Sequence, residues 1–152
     1  MADEPIEQAG PTTATLPIIA SLVALVGLAD SIYLAVQHFT AAPVPCSIIS
    51  GCETVLTSSY AEIMGIPLAA FGAVAYFAAF ALALLASFGN RNAWFLFGLA
   101  SIAMGGFTLW LLYLQAFVIG AFCQFCLISA ATSLTLLLLA LFSKFWRELR
   151  AR

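Results

Sequence analysis

Four apolar runs, each about 20 residues long, fill most of this 152-residue chain and decide what it can fold into. They extend roughly over Leu16 to Val36, Ile66 to Phe88, Ala93 to Phe117 and Ala121 to Phe142. Each has the ~20-residue length that carries a helix across ~30 Å of hydrocarbon. Backbone N–H and C=O groups in lipid must be satisfied inside the segment, so such runs become helices. Only 8% of the residues are charged and 64% are hydrophobic, too little polar sequence to cover a soluble helical core. The expected fold is an all-α integral membrane protein, a bundle of four transmembrane helices in the lipid bilayer.

The basic residues orient that bundle. All five lie in two places: Arg91 between runs two and three, and Lys144, Arg147, Arg150 and Arg152 after run four. With four spans, both places share a side with the N-terminus, and the positive-inside rule makes that side cytoplasmic. No Lys or Arg precedes run one, so that run is expected to be a retained span rather than a cleaved signal. The chain divides into a disordered tail over residues 1–15, a membrane domain over 16–143 and a basic tail over 144–152. The basic tail fits orientation and contact with anionic lipid, and calls for no nucleic-acid partner.

The link around Asn90 is a tight turn and the link around Gly120 is short, whereas His38 to Gly65 forms a long exported loop of the kind that carries function. Pro43 and Pro45 keep that loop extended up to Cys46. From Cys52 on, Val55, Leu56, Tyr60, Ile63 and Met64 recur near helical spacing, which predicts a short amphipathic helix lying on the bundle. It turns Cys52 toward the membrane and leaves Cys46 accessible.

All four cysteines fall on the exported side, where disulfides persist. Cys46 and Cys52 lie in the loop, and Cys123-Gln-Phe-Cys126 opens run four. A Cys-x-x-Cys on a helix puts its sulfurs at i and i+3 on one face. Cys123 sits at a helix N-terminus, where free N–H groups and the dipole favour thiolate. Thiol–disulfide exchange needs an attacking thiolate, a disulfide and access between them, and two such pairs supply all three. A loop pair can trade electrons with a partner while a helix pair passes them to a lipid-soluble two-electron acceptor, which suggests a quinone. Phe107, Trp110, Tyr113, Phe117, Phe122 and Phe125 gather near the exported ends of runs three and four. Their rings can line a quinone pocket, or form the aromatic belt common to membrane interfaces.

Asp30 lies inside run one, where a carboxylate is costly and faces an interior or polar cavity. It can relay protons that quinone reduction consumes, or hydrogen-bond the loop. His38 is the only histidine and reads as an ordinary interfacial residue. Gly105-Gly106 suits close helix packing.

Together these residues resemble the vitamin K epoxide reductase family in its bacterial disulfide-forming branch. The resemblance runs over roughly residues 25 to 140. It rests on Gly27-Leu-Ala-Asp-Ser-Ile-Tyr-Leu34, Cys46-x5-Cys52, Ser58, Gly65-Ile-Pro-Leu-Ala-Ala-Phe71-Gly72 and Cys123-Gln-Phe-Cys126. It implies a four-helix bundle around a quinone, ubiquinone or menaquinone, in the bacterial cytoplasmic membrane, with no metal. By that analogy Cys126 donates to the quinone, Cys123 is its partner, Cys52 exchanges with Cys123, and Cys46 accepts from an outside dithiol. Ser58 matches a serine near the active cysteines and Phe71 a pocket aromatic, with Phe122 and Phe125 as further pocket candidates. Vertebrate members carry an Asn and a Tyr against the vitamin K head group where this chain has Leu68 and Ala130, which favours simple quinone reduction over epoxide reduction. Relatives often continue into a thioredoxin-like domain; this chain stops at Arg152, so the implied partner is a separate thioredoxin-fold, DsbA-like exported protein.

Two other functions compete. A small membrane scaffold would use the cysteines as structural disulfides. A tetrahedral thiolate site would hold zinc, although the C-x5-C spacing is unusual for one. The DsbB-type disulfide generator has its Cys-x-x-Cys in the first exported loop, the reverse of the order here.

Overall fold

The computed structural model describes the backbone of residues 11–151 and the side chains of residues 15–143. Four long helices carry the fold: α1 (Pro11–Phe39), α3 (Leu68–Ser87), α4 (Arg91–Tyr113) and α5 (Gln124–Ala151). A five-residue helix, α2 (Cys52–Leu56), lies in the loop between α1 and α3. The stretches long and apolar enough to span a membrane are Thr15–Phe39, Leu68–Ser87, Arg91–Ile119 and Gln124–Ser143. Most of the expected N-terminal tail lies outside the described residues, but its last part is helical from Pro11. The basic tail continues α5 to Ala151, with its side chains outside the described set.

Small residues set the packing. Ala20, Ala24, Gly27 and Ser31 follow one face of α1, and Gly72, Ala79, Ala83 and Ala86 follow one face of α3. Seams of this kind let backbones approach closely where lipid provides no hydrophobic drive for helix association. A β-carbon at Gly72 would lie 3.1 Å from Ser31 Oγ, and one at Gly27 would overlap the Tyr76 ring. Large apolar side chains such as Val26, Val74, Phe77 and Phe95 point outward. That pattern suits a hydrocarbon solvent.

α4 closes the bundle by packing on α3 and α5. Asn90 caps it, its Oδ1 accepting the Ala93 N–H at 3.1 Å, directly after Gly89 turns the chain at φ +90°. At that end Trp94 Nε1 donates to Ser143 Oγ at 3.0 Å. Gly105 admits Leu137 of α5 so closely that a β-carbon would sit 2.7 Å from its Cδ2, whereas Gly106 faces open space.

The loop between α1 and α3 departs from the expected helix. α2 ends after Leu56, where the Thr57 and Ser58 hydroxyls donate to the Glu53 and Val55 carbonyls at 2.7 Å each. Downstream, β1 (Glu62–Ile63) and β2 (Ile66–Pro67) pair antiparallel across a Met64-Gly65 turn. Both turn residues have positive φ, 54° and 79°, as a type I′ hairpin requires. The apolar spacing from Cys52 to Met64 is therefore split between one helical turn and a hairpin, because hydroxyl capping and the Met64-Gly65 turn end the helix early.

Candidate functional site

The loop, the start of α5 and the end of α4 meet at one end of the bundle. Cys46 and Cys52 are joined as a disulfide with their Cα atoms 6.1 Å apart. Cys123 and Cys126 are free thiols. Cys52, Val55 and Cys123 form a buried cluster, with Cys46 and Cys126 packed at its margins. The four cysteines thus pack together at this end: a partly exposed Cys46, the buried Cys52 and Cys123, and a half-buried Cys126.

Local backbone geometry holds the two pairs together. Gly51 packs directly on the backbone of Phe122, the residue before Cys123. The Ile48 N–H donates to Gln124 Oε1 at 3.0 Å, so the residue inside the Cys-x-x-Cys tethers the loop.

Cys123 is the N-terminal cap of α5. Its carbonyl accepts the Leu127 N–H at 2.9 Å and its sulfur accepts the Cys126 N–H at 3.4 Å. The Cys126 thiol, donating to this sulfur, lowers the Cys123 pKa most, and the Phe125 and Cys126 N–H groups add to it. Against the opposing effect of burial, Cys123 falls from an ordinary 9.0 to about 7. It is poised as a thiolate just outside the span, as a nucleophile or a leaving group needs.

Beneath the cysteines lies a cavity of about 370 Å³ between α1, α3, α4 and α5, roofed by α2 and the hairpin. Cys126 is the one cysteine in its wall. Ser58 lines it from the roof and Phe71 from α3. Phe122 and Phe125 lie outside the lining, a correction to their expected place: Phe122 is exposed just before α5, and Phe125 packs against the cysteine cluster with its ring tilted onto Tyr33 at 5.2 Å. Of the aromatics in and just beyond the end of α4, Phe107 reaches the cavity, while Trp110, Tyr113 and Phe117 stay outside its lining and are exposed in the manner of a belt. Leu68 and Ala130 both line the cavity and offer it only hydrocarbon.

Asp30 stands on α1 outside the cavity lining, with a buried Oδ2 that has no hydrogen-bond partner among the described residues. It does not tie down the loop. It lies within electrostatic reach of Tyr76, Cys123 and Cys126. His38 lines the cavity mouth and meets Glu62 of the hairpin at 3.2 Å, which joins α1 to the roof.

Sequence reasoning missed two polar residues. Tyr76, nearly fully buried, reaches across to α5, where its hydroxyl lies 2.6 Å from the Ser129 carbonyl oxygen and 2.9 Å from Thr132 Oγ1. Gln115, also buried, accepts the Cys123 N–H on Oε1 at 3.2 Å and lines the cavity. It belongs to a π-helical segment, Leu114–Ile119, that extends α4 until Gly120 breaks it at φ +68°. π-Helical turns are frequent at functional sites, and an amide inside an apolar run was the one available signal. The profile of the Vitamin K epoxide reductase family matches residues 18–141.

Proposed function

Because the chain belongs to the vitamin K epoxide reductase family of membrane thiol–disulfide oxidoreductases, we propose that it oxidises an exported thioredoxin-fold, DsbA-like dithiol and passes the electrons to a membrane quinone. The observation that carries this is the position of Cys126. It is the one cysteine that both touches the buried sulfur cluster and faces the cavity.

The electrons and protons balance along that path. The partner dithiol is oxidised to a disulfide as the Cys46–Cys52 disulfide is reduced to two thiols. Cys52, as thiolate, attacks Cys123 of an inner disulfide and releases Cys126. Cys46 then resolves the Cys52–Cys123 bond, leaving Cys46–Cys52 oxidised and the inner pair reduced, the state the structure shows. Re-oxidation of the inner pair releases two electrons and two protons. A quinone supplies the chemistry that takes up both, becoming a hydroquinone.

The cavity fits such an acceptor: about 370 Å³, mostly apolar, with a few polar groups in its lining. Phe71 offers a ring face. Ser58 lines the cavity and closes the end of α2 through its bond to the Val55 carbonyl. Asp30 is suited to exchange protons with the inner pair, since one of its oxygens is buried and unpartnered and its charge is felt by both cysteines. The basic residues argue for cytoplasmic termini and an exported sulfur cluster in a bacterial cytoplasmic membrane.

The test is quinone reduction by the purified protein in detergent, with a small dithiol as donor. Turnover should vanish in Cys126→Ala. Cys46→Ala should lose transfer from the protein partner yet still reduce quinone when a small dithiol feeds the inner pair. No turnover in folded native protein would instead favour a scaffold with structural disulfides.

A further inference from the structure

Resting on the cavity as a quinone site, we infer that the side-chain amide of Gln115 is the hydrogen-bond donor that holds a quinone carbonyl beside Cys126. The orientation of this amide is dictated by chemistry. A backbone N–H can only donate, so the atom facing Cys123 N at 3.2 Å must be the Gln115 oxygen. The NH₂ group therefore sits on the other branch of the amide. It carries two donors that find no partner among the described residues, although Gln115 is only 5% exposed. Gln115 lines the cavity, and its amide nitrogen is not sealed off among the buried unpaired atoms, so an occupant of the cavity can reach it.

Several competing donors in the wall are committed, while the Ser31 and Tyr60 hydroxyls stay available on α1 and in the roof. Ser58 donates to the Val55 carbonyl, Thr108 and Ser133 bond each other at 3.0 Å, and the Tyr76 hydroxyl is engaged with Ser129 and Thr132. Leu68 and Ala130 provide none. A quinone carbonyl is an acceptor only, so it complements a free NH₂. The same amide would then bridge the acceptor to the backbone of Cys123, fixing the ring against the start of α5 where Cys126 stands.

Two variants separate this role from a structural one. Gln115→Glu, assayed at a pH where its carboxyl is ionised, keeps an oxygen for the Cys123 N–H and removes every side-chain donor; Gln115→Leu removes both. The probes are short-chain ubiquinone and menaquinone analogues carrying ¹³C at the ring carbonyls, bound to the detergent-solubilised protein. Binding affinity and the infrared carbonyl band are read together. In the native protein the band of one carbonyl should lie below its position in an apolar solvent. In both variants it should return toward that position, with quinone bound about fivefold to tenfold more weakly, the loss expected for one buried hydrogen bond. A purely structural Gln115 predicts native affinity and a native band in Gln115→Glu, which would overturn the inference while leaving the quinone site intact. Bound quinone with an unshifted band in the native protein would overturn it without any variant. Absence of quinone binding in the folded native protein would overturn the cavity assignment and this inference together.

Discussion

Gly51 lies so close to Phe122 that a β-carbon on it would sit 2.5 Å from the Phe122 carbonyl oxygen and 2.9 Å from its amide nitrogen. Each residue immediately precedes a cysteine, so this backbone contact sets how Cys52 meets Cys123. The atoms in the way are main chain, which cannot swing aside as a side chain could. Gly51→Ala should displace the loop from α5 and slow transfer between the two pairs by an order of magnitude or more, in line with the ~1–3 kcal/mol typical of overpacking. Trapping reports this directly. In a Cys46→Ala/Cys126→Ala background the Cys52–Cys123 disulfide should form readily, and adding Gly51→Ala should sharply lower its yield. Unchanged yield would show that the loop reaches Cys123 by another approach.

Cys123 gives a pH signature. With its value lowered to about 7, it is mostly thiolate above that pH and is protonated as pH falls through it, whereas an ordinary thiol at 9.0 would still be neutral there. Alkylation of the reduced inner pair should rise with pH to half its maximum near 7. The largest cause of the shift is the thiol of Cys126, so Cys126→Ala should move the midpoint upward toward the ordinary value. Mass-resolved alkylation at Cys123 across pH 5 to 10 is the check. A midpoint that ignored Cys126 would mean that the helix N-terminus alone activates the sulfur.

Tyr76 and Gly27 test the packing under the site. Tyr76→Phe removes a hydroxyl that ties α3 to α5, and interhelical bonds of this sort are worth about 1 kcal/mol. Thr132 Oγ1 still donates to the Ser129 carbonyl at 2.8 Å, so no acceptor is stranded. Gly27→Ala is the harsher change, since its methyl would overlap the Tyr76 ring itself. Thermal unfolding in detergent should show a small loss for Tyr76→Phe and a loss several times larger for Gly27→Ala. Combining Gly27→Ala with Tyr76→Leu should recover part of it. Additive losses would place the Gly27 constraint elsewhere.

The bundle was legible in the sequence because the spans are written in composition, and the two cysteine pairs because one falls in the long loop and the other at the start of the last run. What was hidden depends on contacts between distant segments. Met64 looked like the end of an amphipathic helix, since i, i+3 spacing cannot reveal that it and Gly65 turn left-handed. Phe122 and Phe125 lay near Cys123 in sequence, yet the direction in which α5 leaves Gly120 turns them from the cavity. Gln115 and Tyr76 carry no periodic signal. Gln115 acquires its role from the π-helical segment and from Cys123 eight residues later, and Tyr76 from a carbonyl 53 residues away.

Ala130 offers the cleanest separation of the two halves of the reaction. It lines the cavity one turn beyond Cys126 and is buried, but it stands outside the sulfur cluster that joins the two cysteine pairs. A phenylalanine there has to occupy the cavity, because the backbone of α5 is fixed by Cys123 at its cap and by packing against α1 and α4. Ala130→Phe should therefore lower quinone reduction at least tenfold and raise the quinone concentration needed for it. A single-turnover transfer from reduced partner through Cys46–Cys52 to an oxidised inner pair should keep its native rate. Rapid-quench alkylation resolves that step without quinone present. Equal loss in both assays would mean that the cavity and the sulfur path are mechanically coupled through α5, while loss in neither would move the acceptor away from this cavity.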